Sequence, residues 1–119
     1  MTGKVTTHVL DLSMGKPASG VLVELWQVDP DNKFEFIQIS YTNEDGRVNQ
    51  PLLEGASMKK GVYEIHFHVG DYFRNRGTLL GDPSFLDCVP VRFGISEPAS
   101  HYHVPLLISP GGYSTYRGS

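Results

Sequence analysis

The sequence VYEIHFHV, from Val62 to Val69, decides the fold class because its side chains alternate between apolar and polar. Tyr63, Ile65 and Phe67 fall on one face, and the positions between them carry Glu or His. Successive side chains of a strand point to opposite faces of its sheet, so this period of two predicts a half-buried β-strand.

The same alternation returns in two later segments, VPVRFGI (89–95) and YHVPLLIS (102–109). Upstream, three segments rich in β-branched and aromatic residues are separated by Gly, Pro, Asn or Asp, which is typical of strands joined by turns; they are VTTHVLD (5–11), GVLVELWQV (20–28) and FEFIQISY (34–41). A short edge strand is expected near Pro51–Leu53 and a final strand from Gly112 to Gly118. The sequence thus predicts seven or eight antiparallel strands.

One segment, GDYFRNRGTLL, breaks the alternation and predicts a short helix near residues 71–76. Asp71 is the expected N-cap and Gly77 the expected C-terminal stop. Neither a repeat nor a linker divides the chain, so residues 1–119 are expected to form one domain. The predicted fold class is all-β, an antiparallel β-sandwich with one short helix.

Charge and composition exclude several classes of protein. Ten Lys and Arg against 13 Asp and Glu give a net charge of −3, so we expect no nucleic-acid partner. No apolar run approaches the roughly 20 residues that a membrane span needs, and the first residues, MTGKVTTHVLDL, lack a signal-type apolar run. A single cysteine, Cys88, cannot form an internal disulfide. We therefore expect a cytoplasmic protein without a membrane partner.

Several histidines lie on the side of their strands that faces away from the core. His8 is out of phase with Val5 and Val9, and His101 and His103 are out of phase with the apolar positions of their segment. An exposed strand histidine is often a polar surface residue, and we interpret His66 and His68 in this way. The surroundings of His103, HYHVPLLISP, are apolar on both sides and favour a subunit interface.

The end of the chain combines aromatic residues with a guanidinium. Tyr113, Tyr116 and Arg117 suit a planar polar ligand bearing carbonyl groups, although a terminal strand packed only for stability explains them equally well. Arg47, after the turn residues Glu44–Gly46, is likewise either a ligand-binding residue or an inert turn arginine.

Two His-x-His pairs, 66/68 and 101/103, have a spacing that zinc sites sometimes use. No third ligand is fixed by spacing, so we expect no metal and no cofactor. Cys88 follows Asp87, whose charge disfavours a thiolate, and no glycine-rich phosphate loop or serine nucleophile motif is present.

Four motifs together resemble one family: THVLD near the start, GRV after a turn, HYHVPLLISP, and the last seven residues, YSTYRGS. This combination resembles the 5-hydroxyisourate hydrolases, the transthyretin-like enzymes of urate breakdown. The resemblance implies a transthyretin-like sandwich assembled as a homotetramer, a dimer of dimers with active sites in the clefts between dimers. It also implies hydrolysis of 5-hydroxyisourate to 2-oxo-4-hydroxy-4-carboxy-5-ureidoimidazoline.

The functional positions that the resemblance implies occupy four parts of the chain. The implied catalytic residues are His8, Arg47, His103 and Ser119, and the implied substrate-binding residues are His8, Arg47, Tyr116, Arg117 and Gly118. An imidazole, with an ordinary pKa near roughly 6.5, is well matched to activating water. Two alternatives stay open: a transthyretin-like carrier that binds a small molecule without turnover, and a zinc-dependent hydrolase.

Overall fold

The computed structural model describes residues 3–118, which fold into two stacked β-sheets and one short helix. The elements of this part of the chain are β1 (Lys4–Asp11), β2 (Lys16–Pro17), β3 (Leu22–Val28), β4 (Phe34–Tyr41), β5 (Leu53–Glu54), a 3-10 turn (Gly55–Ser57), β6 (Gly61–His68), α1 (Val69–Asn75), β7 (Cys88–Ile95), β8 (His101–Ser109) and β9 (Gly112–Thr115). Strands β2 and β5 have only two residues each. The seven longer strands match the segments in which the sequence predicts strands, and β5 begins at Leu53, the last residue of the expected edge strand, and ends one residue later.

The core lies between a sheet of order β2-β1-β8-β9, with β5 also paired to β1, and a sheet of order β4-β3-β6-β7. Val9 and Leu106 from the first sheet and Leu25, Ile65 and Phe67 from the second have no exposed surface. These residues belong to one cluster of buried apolar side chains. The predicted all-β sandwich is therefore confirmed, and the alternation in β6 and β8 correctly assigned the inward positions.

The pairing of β1 with β8 is parallel, whereas the other strand pairs are antiparallel as predicted. These two strands come from opposite ends of the chain, so no hairpin dictates their relative direction. Their register places Thr6 opposite His103 and His8 opposite Pro105. Side chains of Thr6, His8 and His103 consequently share the outer face of the first sheet.

The final strand ends earlier than predicted, at Thr115 rather than Gly118. The residue opposite the next position is Pro105, which has no N–H to donate to a neighbouring strand. The Thr115 hydroxyl instead donates to the Pro105 carbonyl at 2.7 Å. Pairing then resumes in the same register, because the Gly118 N–H donates to the His103 carbonyl at 2.8 Å.

The helix begins two residues earlier than predicted, and the assignment of Asp71 as its N-cap is wrong. His68 occupies the N-cap position without a capping side-chain hydrogen bond, and Asp71 lies in the first turn. The Gly70 N–H donates to the Asp87 carbonyl at 2.9 Å, so a later segment of the chain satisfies the first turn. Gly77, with φ of 81°, follows the helix as expected. Among residues 3–118, no helix has the length and apolar character to cross a membrane.

Candidate active site

Four distant parts of the chain meet on the outer face of the first sheet. His8 and Arg47 form an isolated antiparallel bridge, and His103 forms another with Gly118. A groove of about 340 Å³ is lined by Arg47, Thr6, His101 and His103, among others. His8 adjoins it through its bridge with Arg47. The structure thus brings His8, Arg47, His103 and Gly118 together, while their functional roles stay predictions.

A tight turn holds Arg47 against β1. The Asn43 side-chain oxygen accepts hydrogen bonds from the N–H groups of Asp45 and Arg47, at 2.9 and 3.2 Å. The Val9 N–H donates to the Gly46 carbonyl at 2.8 Å. Gly46 has φ of 75°, and a Cβ at this position would collide with the Val9 carbonyl. Glycine is therefore required next to Arg47, and it brings the turn onto the strand that carries His8.

The electrostatics of the groove keep its imidazoles neutral. Burial lowers the pKa of both His8 and His103 below the ordinary value, and the positive charge of Arg47 is the next cause for each. The same positive charge therefore acts on both rings. Neutral imidazoles can accept a proton at neutral pH, and the adjacent cation can stabilise negative charge on a substrate.

A threonine that sequence reasoning missed connects two of the histidines. The Thr6 hydroxyl lies 2.7 Å from Nε2 of His101 and 2.8 Å from Nδ1 of His103. Both histidines are on β8, two residues apart and hence on one face, and Thr6 stands two residues before His8 on β1. This i, i+2 spacing is the signal that could have found Thr6, once the partner strand was known.

The end of the chain packs directly against His103. A Cβ added to Gly118 would lie 2.5 Å from Cδ2 and 3.2 Å from Cγ of the His103 ring. The backbone of Gly118 therefore occupies space that no other residue can share without displacing the imidazole.

Tyr116 and Arg117 line a neighbouring cavity of about 280 Å³ rather than the histidine groove. The Arg117 guanidinium lies 4.2 Å from the centre of the Tyr102 ring and donates to the His101 carbonyl at 3.3 Å. Neither residue lines the histidine groove, and their substrate-binding role stays a prediction. Ser119 lies outside the described residues.

The remaining candidates are accounted for by local contacts. Nε2 of His66 lies 2.9 Å from Glu64, and Nε2 of His68 lies 2.8 Å from Glu24, all on the second sheet. Burial, together with carboxylates including Glu24, raises the pKa of the Cys88 thiol to about 11, so this cysteine is a poor nucleophile. Among residues 3–118, His, Cys, Asp and Glu side chains form no group of three arranged to hold a metal ion.

Two relatives that match the chain over nearly its full length bear the name of one enzyme. The chain is 56% identical to the 5-hydroxyisourate hydrolase of Halalkalibacterium halodurans over 119 residues, which is 100% of both chains. It is 55% identical to 5-hydroxyisourate hydrolase 2 of Rhizobium meliloti, over 99% of this chain and 98% of that protein.

Solved structures that share the fold include a 5-hydroxyisourate hydrolase and a transthyretin. The Klebsiella pneumoniae 5-hydroxyisourate hydrolase superposes with a TM-score of 0.82 at 35% identity, over 98% of this chain and 99% of that chain. Transthyretin from Sparus aurata superposes with a TM-score of 0.86 at 27% identity, over 97% of this chain and 96% of that chain. The model of the HIUase/Transthyretin family matches residues 5–118, and the chain belongs to this family.

Proposed function

We propose that this chain hydrolyses 5-hydroxyisourate to 2-oxo-4-hydroxy-4-carboxy-5-ureidoimidazoline, a step of urate degradation. The observation that carries the proposal is the meeting of His8, Arg47 and His103, from three separated segments, beside one groove. Relatives that match the whole chain at 55 and 56% identity bear the name of this hydrolase. Both the constellation and the relatives favour an enzyme over a carrier.

The reaction is the opening of a cyclic amide by water. His103 takes a proton from the water as its oxygen bonds to a ring carbonyl carbon, since neutral imidazole is a suitable general base. Arg47 binds the carbonyl oxygen and stabilises the negative charge that develops there; one such donor is worth roughly 3 kcal/mol in other hydrolases. The ring C–N bond then breaks, and the leaving nitrogen takes a proton from the imidazolium.

His8 orients the substrate or carries the proton to the leaving nitrogen, and an exchange of the roles of His8 and His103 is the alternative assignment. Either assignment requires one ring to be neutral before water attacks. The lowered pKa values of both rings meet that requirement. No step in this scheme is assigned to a metal or cofactor.

The proposed assembly is a homotetramer in which the groove lies between dimers. Two unprotected edges support this proposal: β7 ends one sheet and β9 ends the other. Tyr113 on β9 is 45% exposed and Tyr116 is 60% exposed, so a partner packed on this edge would bury two aromatic rings. A particle mass in light scattering of four times the chain mass of 13.2 kDa would support the tetramer. The cytoplasm stays the proposed compartment, on the ground that Cys88 is the chain's only cysteine.

The test of the activity is the decay of freshly generated 5-hydroxyisourate, followed by its ultraviolet absorbance. The protein should accelerate decay well above the spontaneous rate, and His103→Asn should remove most of the acceleration. His68→Asn is the matched control, because His68 lies on the other sheet and bonds Glu24. Binding of the substrate with decay at the spontaneous rate would instead identify a carrier.

A further inference from the structure

The Thr6 hydroxyl sits between two imidazoles that belong to the neighbouring strand. Parallel pairing places Lys4 opposite His101 and Thr6 opposite His103, so the side chain of Thr6 reaches both rings. It contacts Nε2 of His101 at 2.7 Å and Nδ1 of His103 at 2.8 Å. Both distances are those of good hydrogen bonds.

We infer that Thr6 and His101 are positioning residues that hold His103 with its proton on Nδ1 and its lone pair on Nε2. The inference rests on the proposed function, in which His103 acts as the base. The inference assigns Nε2 of His103 as the nitrogen that takes the proton from water, and Thr6 and His101 as the residues that fix this tautomer. Neither residue needs to touch the substrate.

The hydrogen-bonding capacity of a hydroxyl limits the arrangement. Thr6 has one proton and two lone pairs, so it donates to at most one of the two ring nitrogens. If it accepts from both rings, Nδ1 of His103 carries the proton and its Nε2 is free. If it donates to His101, it accepts from Nδ1–H of His103, and Nε2 of His103 is free to take a proton from water. In the reverse arrangement Nε2 of His103 carries a proton and cannot act as a base.

The charged side chains lining the groove favour the arrangements in which Nε2 of His103 is free. Lys4 and Arg47 both line it, and each can only donate hydrogen bonds. Of the two, Arg47 is the one whose charge acts on His103, and a nearby positive charge favours the tautomer that turns a lone pair rather than an N–H toward it. The rest of the ring is already occupied: Thr6 binds Nδ1, and the backbone of Gly118 packs against Cδ2.

The backbone of His101 is bonded by Arg117, and its neutral ring makes it a suitable acceptor. Its carbonyl accepts a hydrogen bond from Arg117 at 3.3 Å. Burial lowers the pKa of His101, with the charges of Lys4 and Arg117 as further causes, so its ring is neutral at neutral pH. A neutral His101 protonated on Nδ1 leaves Nε2 as the acceptor for the Thr6 hydroxyl.

The experiment compares Thr6→Val with Thr6→Ser by steady-state kinetics and by ¹⁵N NMR of the histidine rings. In the wild-type protein, His103 should show a protonated Nδ1 and an unprotonated Nε2. Thr6→Val should lower kcat about tenfold, as losses of supporting hydrogen bonds commonly do, and leave KM within about twofold. Thr6→Ser keeps the hydroxyl and should restore both kcat and the ring signals.

Thr7→Val is the matched control on the same strand. Thr7 is buried, and its hydroxyl donates to the Val104 carbonyl at 2.7 Å and bonds neither imidazole, so its loss should lower the Tm without changing the His103 tautomer. A proton on Nε2 of wild-type His103, or equal kcat values for Thr6→Val and wild type, would overturn the inference. If Thr6→Val does not fold, the ¹⁵N signals of His103 in the wild-type protein still test the predicted tautomer. Full activity of His103→Asn would overturn the proposed function instead.

Discussion

Replacing Gly118 with Ala should disable the His103 imidazole while leaving the fold intact. The new Cβ would lie 2.5 Å from Cδ2, 3.2 Å from Cγ and 3.3 Å from Cβ of His103. Ordinary carbon contacts begin near 3.5 Å. The two nearest His103 atoms after Cδ2 are close to its backbone, so rotation of the ring tip cannot relieve the contact.

The magnitude follows from the size of this overlap. An added methyl in a tightly packed place typically costs about 1–3 kcal/mol. If the strain is relieved by moving the ring or the chain end by roughly 1 Å, a hundredfold loss of rate is reasonable. We therefore expect kcat to fall about tenfold to a hundredfold, with the larger loss if the ring moves by the full distance of about 1 Å.

The assay is the initial rate of 5-hydroxyisourate decay, with the Tm measured on the same samples. Gly111→Ala is the matched control, because a Cβ there meets nothing within 4 Å. It should keep wild-type kcat. Wild-type kcat in a folded Gly118→Ala protein would show that the contact with His103 is irrelevant to turnover.

Three further predictions concern pH, stability and metals. Activity should decline only as the pH falls below about 6.5, because lowered pKa values keep His8 and His103 neutral down to that range. Arg47→Gln removes a charge that lowers both pKa values, so it should reduce kcat and move the acid limb of the pH–kcat profile to higher pH. An acid limb that stays in place would contradict this. Tyr72→Phe should lower the free energy of unfolding in urea by about 1–3 kcal/mol with kcat unchanged, because the Tyr72 hydroxyl donates to buried Asp11 at 2.8 Å; an unchanged free energy would refute this role. Dialysis against a chelator should leave kcat unchanged, whereas loss of activity that zinc restores would support the zinc-dependent alternative.

The local pattern of the sequence was sufficient for the strands and for the faces of their side chains. The period of two in β6 and β8 correctly placed Ile65 and Leu106 inside and His103 outside. These assignments succeed because one face of a half-buried strand packs against the core, so alternate residues along it must be apolar.

The features that the sequence did not predict depend on partners far away in the chain. Nothing near Thr6 indicates that its strand pairs in parallel with one 97 positions later, so its contact with His103 was not predictable. The early end of β9 depends on Pro105 in the opposite strand, and the start of α1 depends on Asp87 beyond it. Long-range pairing decided each of these details.

The central claim is that His8 and His103 act in one site, and the kcat of the double variant His8→Asn/His103→Asn tests it directly. Groups that act as a unit lose little more together than the more damaging single change costs. We expect each single variant to lose about 10²–10⁴ in kcat and the double variant to match the slower single one. Losses that multiply, or a double variant that still turns over substrate at the wild-type rate, would contradict a shared site.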